Sequence, residues 1–211
     1  MPTQASTLPA AVVLAGGRST RMGGGEKGLE LLGGQPLLAH VIDGLAPQAG
    51  AIAISANGDP ARFGQFNLPV LPDTVPGYLG PLAGLLAGMQ WAARLDATYV
   101  LSMPTDTPFF PADLGASLSE ALQGNAPALA ASNGRRHPAV GLWPVDLAAQ
   151  LHDFLLSGAT YKVSAFADSC NAVVVDFPMI ALSGGSLDPF FNVNSRADLA
   201  FAETLVGELK R

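Results

Sequence analysis

Apolar positions along the chain alternate between short unbroken runs and helical spacings. Ala10 to Ala15 is a continuous apolar run of strand length, the pattern of a strand buried on both faces. Gln35-Pro36 opens the first expected helix, with Leu37, Leu38, Val41, Ile42 and Leu45 at helical spacing, and Pro47 with Gly50 stops it. Ala51 to Ser55 predicts a second strand, closed by the turn cluster Ala56-Asn57-Gly58-Asp59-Pro60. Strand, helix and strand in about 45 residues make a βαβ unit, hence a parallel sheet with a right-handed crossover.

The rhythm continues to the end of the chain. Pro69 to Thr74 is a short extended piece carrying Asp73. Gly80-Pro81-Leu82-Ala83-Gly84 opens a helix with Leu82, Leu85, Leu86 and Met89 on one face, where Gly84 and Gly88 permit close packing. Thr98 to Met103 is a strand that runs into Pro104-Thr105-Asp106-Thr107-Pro108. A helix from Pro111 carries Leu114, Leu118, Ala121 and Leu122. Strands at Ala126–Ala131 and Ala139–Trp143 flank the hairpin signal Asn133-Gly134 and a loop with Arg135 and Arg136. Pro144 starts a helix with Leu147, Leu151, Phe154 and Leu155, and Ala172 to Phe177 is a late strand. Ser195 with Asp198 begins the last helix in the manner of a capping box, with Leu199, Ala202, Leu205 and Leu209 on its core side. The expected fold is a single α/β domain, a Rossmann-like three-layer arrangement around a mostly parallel, twisted sheet. Residues 10–110 and 111–211 make up its two halves.

Composition narrows the function classes. At 211 residues the chain holds one substantial core, and 49% apolar against 13% charged residues is a globular balance. A net charge of −6 argues against a protein that coats nucleic acid. The single cysteine, Cys170, excludes an internal disulfide and reads as a buried thiol. Met1 to Pro9 lacks the pattern of a secretory signal, and Tyr78 to Ala93, the longest apolar segment, is interrupted by Pro81 and Gln90 and falls short of the ~20 residues that span a bilayer. A soluble, cytoplasmic protein with no membrane partner is the expectation.

Against that acidic background, Leu14 to Lys27 stands out. It concentrates five glycines with Arg18, Arg21 and Lys27 directly after a buried strand. Glycines let backbone N–H groups approach a ligand, and a basic, glycine-rich loop at the carboxyl end of a strand is how α/β folds hold polyphosphate. Neither GxxxxGK[ST] nor GxGxxG fits, and a merely flexible loop is the alternative. Asp106 also follows a hydrophobic strand. It suits an Mg²⁺ ligand, since that ion takes one or two carboxylates plus phosphate oxygens and waters, although a turn former or helix cap is the competing reading. Asn57 is either a turn residue or a nucleotide contact. Asn192 and Asn194 share one face of an extended segment, where they bind a ligand or satisfy backbone groups. His40 and His152 read as ordinary helix residues.

Leu14-Ala15-Gly16-Gly17, Arg21-Met22-Gly23 and Lys27 resemble the opening loop of nucleotidyltransferases, and the LAGG form is similar to the molybdenum cofactor guanylyltransferases in particular. Cytidylyl- and sugar-phosphate uridylyltransferases more often show LAAG. The resemblance extends through Asp73 with GPLAG, through Pro-x-Asp-x-Pro around Asp106, through Arg136-His137-Pro138, and through Phe-x-Asn-x-Asn ending at Asn194. It implies transfer of GMP from GTP to the phosphate of molybdenum-bearing molybdopterin. In this scheme Leu14, Ala15, Gly16 and Gly17 hold the base and ribose side, and Asp73 helps bind the nucleotide. Arg21 and Lys27 neutralise the triphosphate, and Asp106 holds Mg²⁺. Members of the family often carry an Asn where this chain has Ser55, which leaves Ser55 and Asn57 as alternative contacts. Arg136, His137, Lys162, Asn192 and Asn194 make up the implied pterin side. There the chain departs from the family's arginine pair, with Thr160, Tyr161 and Lys162 after Gly158. Transient contact with molybdoenzymes or their chaperones follows from the same resemblance. The rival readings are a related cytidylyl- or sugar-phosphate nucleotidyltransferase, or a non-catalytic pterin carrier.

Overall fold

The computed structural model describes residues 8–16, 26–77 and 79–209. Strand β1 (Ala10–Leu14) is buried along its whole length, as its unbroken apolar run requires. A two-residue hairpin follows, β2 (Leu31–Leu32) against β3 (Gln35–Pro36), and then helix α1 (Leu37–Leu45) and strand β4 (Ala51–Ser55). Gln35 and Pro36 therefore pair as a strand, and Pro36 is also the N-cap from which α1 starts. Gly33 and Gly34 both take positive φ, at 59° and 80°, and that tight turn pairs the two dipeptides as strands.

Next come β5 (Val70–Leu71), α2 (Pro81–Ala93) and β6 (Tyr99–Pro104). The second half contains α3 (Leu114–Glu120), β7 (Ala128–Ser132), β8 (Arg135–Pro144), α4 (Ala148–Ser157), α5 (Val163–Ser169) and β9 (Val173–Phe177). A hairpin of β10 (Ile180–Leu182) and β11 (Gly185–Leu187) precedes α6 (Arg196–Leu209).

The main sheet has the order β5-β4-β1-β6-β8-β7-β9, with β8 alone antiparallel to its neighbours. Side chains alternate across β1. Ala10, Val12 and Leu14 join a core under α2, α4 and α5, whereas Ala11 and Val13 face the core built with α1 and α3. These are the three layers of an α/β fold. A third, smaller cluster of Leu32, Leu37, Val193 and Ala202 fastens α6 over the β2–β3 hairpin.

Several expected boundaries shift. The helix expected from Pro111 spans only Leu114–Glu120, which leaves Ala121 and Leu122 beyond it and half-buried. Pro144 ends β8, and α4 begins after an intervening 3₁₀ turn at Val145–Leu147. β8 runs back to Arg135, so Arg135 and Arg136 lie on a strand and not in a loop. The Asn133-Gly134 turn, both residues at positive φ, closes the β7–β8 ladder directly against them. Cys170 is half-buried at the edge of the α2-side core, and burial pushes its thiol pKa up.

Candidate active site

Strands β1, β4, β5 and β6 run parallel, so their carboxyl ends open on one edge of the sheet. The chain order reverses direction between β1 and β6, the switch point where open α/β sheets bind ligands. β1 delivers Leu14, Ala15 and Gly16 to that edge. Gly17, Arg18 and Arg21 lie outside the described residues. The chain re-enters at Glu26 and makes a 3₁₀ turn at Lys27–Leu29. Gly28 lets this turn close on the end of β6, since a Cβ there would stand 3.2 Å from Thr105 Cγ2.

That closure brings Lys27 to Asp106. Its Nζ lies 2.5 Å from Asp106 Oδ2 and 2.6 Å from the Asn194 side-chain oxygen, with the two charged side chains about one-fifth exposed. Asn192 Nδ2 donates to Asp106 Oδ1 and to Thr107 Oγ1, both at 2.8 Å. The Val193 N–H donates to the Asp106 carbonyl at 2.8 Å, so the segment before α6 is pinned along the end of β6. Asn192 and Asn194, expected on the pterin side, thus place their amides on the Asp106–Lys27 pair.

Beside this knot is a cavity of about 630 Å³ lined by Leu14, Ala15, Gly16, Ser55, Asn57 and Asp73, among others. Asn57 and Asp73 clasp each other: Asn57 Nδ2 donates to Asp73 Oδ2 at 2.7 Å, and the Asp73 N–H donates to Asn57 Oδ1 at 2.9 Å. Ser55 is buried against Gly84 of α2, where a Cβ would meet Ser55 Oγ at 2.5 Å, whereas Asn57 is exposed at the cavity. The Ala15 N–H donates to the Ser55 carbonyl at 2.9 Å, so this amide extends the sheet and does not point to a ligand.

A second cavity, about 140 Å³, is lined by Thr107, Arg135, Arg136, His137, Phe190 and Asn192 and other residues. Behind it the Ser132 hydroxyl donates to Asp188 Oδ1 at 2.7 Å, and the Phe190 N–H donates to the same oxygen at 2.8 Å. With its proton so used, Ser132 Oγ accepts from His137 Nε2 at 2.7 Å, which assigns the imidazole tautomer. Burial holds the His137 pKa below its ordinary value, with Asp188 opposing the shift and Arg135 adding to it. Arg136 leans outward to Asp168 of α5 at 2.6 Å, a hydrogen bond that raises the arginine pKa and lowers that of the carboxyl. Lys162 is not brought to this group. It precedes α5 in a turn whose Tyr161 carbonyl lies 3.9 Å from where a Cβ on Gly80 would be, on the side of the larger cavity.

Four contributors escape sequence reasoning. Glu26 and Arg62 pair at the mouth of the larger cavity, and Ser132 and Asp188 brace His137. Arg62 follows an ordinary turn cluster and carries no motif. The only local cue for Asp188 is its place directly before Pro189 and the Phe-rich segment.

Comparison with known proteins agrees with this geometry. Residues 11–171 match the family model described as MobA-like NTP transferase domain. A molybdenum cofactor guanylyltransferase of Rhodopseudomonas palustris (strain HaA2) is 48% identical over 201 residues, covering 93% of this chain and 92% of the relative. The protein of the same name from Bradyrhizobium sp. (strain ORS 278) is 45% identical over 209 residues, 97% of this chain and 96% of that one. Among solved structures, molybdopterin-guanine dinucleotide biosynthesis protein A from Archaeoglobus fulgidus superposes with a TM-score of 0.67 at 21% identity, covering 94% of this chain and 98% of that one. The 4-diphosphocytidyl-2C-methyl-D-erythritol synthase of Anaerococcus prevotii reaches a TM-score of 0.70 at 14% identity, covering 96% and 97%; both superpositions speak to the fold alone. With three-quarters of its length matched by the family model and near-full-length relatives above 40% identity, the chain belongs to the MobA-like NTP transferase domain family.

Proposed function

We propose that this chain transfers GMP from GTP to the phosphate of molybdenum-bearing molybdopterin, forming the molybdopterin guanine dinucleotide cofactor and releasing pyrophosphate. The observation that carries the reading is the Lys27–Asp106 pair at the sheet's switch point. It stands between a cavity of nucleotide size, lined by the neighbouring Glu26, and a smaller cavity lined by the neighbouring Thr107 and Asn192. The names of the curated relatives, which match over more than nine-tenths of their length, support GTP and the pterin as the two substrates. On this reading residues 10–110 serve the nucleotide and residues 111–211 the acceptor.

The chemistry asks mainly for alignment and charge neutralisation. An acceptor phosphate oxygen forms the new bond to the α-phosphorus as the bond from that phosphorus to the bridging oxygen breaks, and the electron pair leaves with pyrophosphate. Lys27 neutralises charge on the triphosphate and the leaving group, and Arg21 joins it from the loop. Asp73 and Asn57 hold the nucleoside side. Asn192 and Asn194 fix the orientation of Asp106 and Lys27, and Arg136 and His137 border the acceptor side.

A divalent ion suits the same place. Hard oxygens from Asp106 and Asn194 already converge within 2.5 and 2.6 Å of one cation, the Lys27 ammonium. Mg²⁺ needs little more from the protein, because it completes its shell with phosphate oxygens and water. Asp106 would hold it, and the ion would supply Lewis-acid stabilisation of the phosphates. Transient contact with a molybdenum enzyme or its chaperone would deliver the product.

The test is pyrophosphate release by the purified chain with molybdenum-loaded molybdopterin and each of GTP, CTP, UTP and ATP, with Mg²⁺ or with chelator. Turnover confined to GTP and lost with chelator is expected. Preference for CTP or UTP would replace the named nucleotide, and nucleotide binding without turnover would favour a carrier.

A further inference from the structure

Arg62 belongs to no sequence motif, yet among the described residues lining the larger cavity it is the only cationic side chain. It is also unusually well held for an arginine at a cavity mouth. Nε donates to the Asp59 carbonyl at 2.9 Å, one terminal nitrogen donates to the Asn57 carbonyl, and the other donates to Glu26 Oε1. The guanidinium carbon lies 5.2 Å from the centre of the buried Phe63 ring. A guanidinium has five N–H donors, so three anchors leave one N–H on each terminal nitrogen. An anchored guanidinium with two further donors thus lines the cavity.

The position of the guanidinium says which part of a nucleotide it meets. Arg62 follows β4, whereas Asp106 follows β6, and β1 lies between them in the sheet. Arg62 reaches the cavity from the β4 side of the sheet, and Asp106 lies on the β6 side. With phosphates at Lys27 and Asp106, the far end of the cavity receives the base. Leu14, Leu79 and Pro81 supply apolar walls to the same cavity.

The polar groups at that end match one base. Asn57 holds both the N–H and Oδ2 of Asp73, which leaves Asp73 Oδ1 as an acceptor in the cavity that Arg62 also lines. Guanine presents acceptors at O6 and N7 and donors at N1 and the 2-amino group. Adenine presents a donor in place of O6 and an acceptor at N1, the reverse on both counts.

We propose that Arg62 is a specificity-determining residue that reads guanine O6 and N7, with Glu26, Asn57 and Asp59 holding its guanidinium in place. The inference rests on the guanylyltransferase reading and deepens it. Arginine donating both bonds to the O6/N7 edge is the commonest specific contact to guanine, and a good pair discriminates by roughly tenfold or more.

Calorimetric titration of the full chain with GTP, 7-deaza-GTP and ITP tests it, because 7-deaza-GTP lacks only the N7 acceptor and ITP lacks only the 2-amino group. The wild type is expected to bind 7-deaza-GTP several-fold more weakly than GTP. In Arg62→Met the two should bind alike, while the penalty for ITP persists. Arg62→Lys, which keeps charge and stem but loses the guanidinium, should lose the same discrimination and covers the case in which the methionine variant fails to fold. A variant that keeps the wild-type ratio of GTP to 7-deaza-GTP overturns the assignment, even if both nucleotides bind more weakly, since equal weakening marks a structural role through Glu26. Failure of the wild type to bind GTP at all would instead overturn the guanylyltransferase reading.

Discussion

Replacing Lys27 with methionine separates what this residue does for catalysis from what it does for the fold. The ammonium sits 2.5 Å from Asp106 and 2.6 Å from the Asn194 oxygen, and its side chain is 20% exposed against 17% for Asp106. Partial exposure keeps the worth of such a pair to stability near ~1 kcal/mol, and methionine preserves most of the stem packing. For a chain of this length that loss shifts the melting temperature by about 2–4 °C. Turnover should suffer far more. A preorganised cation aimed at charge that develops in the transition state is worth ~3 kcal/mol. At 1.36 kcal/mol per factor of ten, that is a fall of about 100-fold in kcat. Pyrophosphate release with GTP and the molybdenum-loaded pterin, read beside a thermal melt, gives both numbers from one preparation. A Lys27→Met protein that turns over within about threefold of wild type, whatever its melting temperature, refutes the placing of Lys27 on the triphosphate.

Two further outcomes test the structure around the site. Gly88→Ala should destabilise the protein despite alanine's better helix propensity, worth ~1 kcal/mol, because the added Cβ would stand 2.6 Å from Val12 Cγ1 and 2.8 Å from Val12 Cβ. Val12 is fully buried in β1 and cannot yield, so overpacking of ~2–3 kcal/mol wins, and a thermal melt that rose on substitution would contradict the α2–β1 packing. His137 is held neutral by burial, with its pKa below the ordinary 6.5. Below that value the unfolded chain takes up a proton that the folded chain refuses. Stability should therefore fall as pH drops from about 7.5 to 5.5, until the folded-state pKa is passed. Denaturant titrations across that range should show a slope in the wild type that is reduced in His137→Asn; an unchanged slope would assign it to other groups.

The architecture of residues 10–110 was legible because its signals are local. A buried parallel strand is an apolar run, a crossover helix shows its 3.6-residue period, and an acidic residue just past such a strand marks the sheet's carboxyl edge. β1, β4, α2 and β6 all answer to those rules. The second half was read less well. Arg135 and Arg136 look like loop residues from composition, yet the Asn133-Gly134 turn is so tight that the β7–β8 ladder resumes at once. Helix α5 has only seven residues, too few for its period to show above background.

The sequence alone determined the α/β class and the strand-end positions of Asp73 and Asp106, since each follows from periodicity or backbone freedom within a few residues. Only the tertiary structure decided their partners. Lys27 meets Asp106 from 79 residues away and Asn194 from 167, and Arg62 reaches back 36 residues to Glu26. Those pairings depend on how the parallel crossovers align strand ends that are remote along the chain. Turn chemistry and hydrophobic period do not encode that alignment, because the same local patterns are compatible with many registers and many side-chain neighbours. Packing of α1, α2 and α6 around the sheet selects one of them, and with it the fate of every amide and carboxylate at the site.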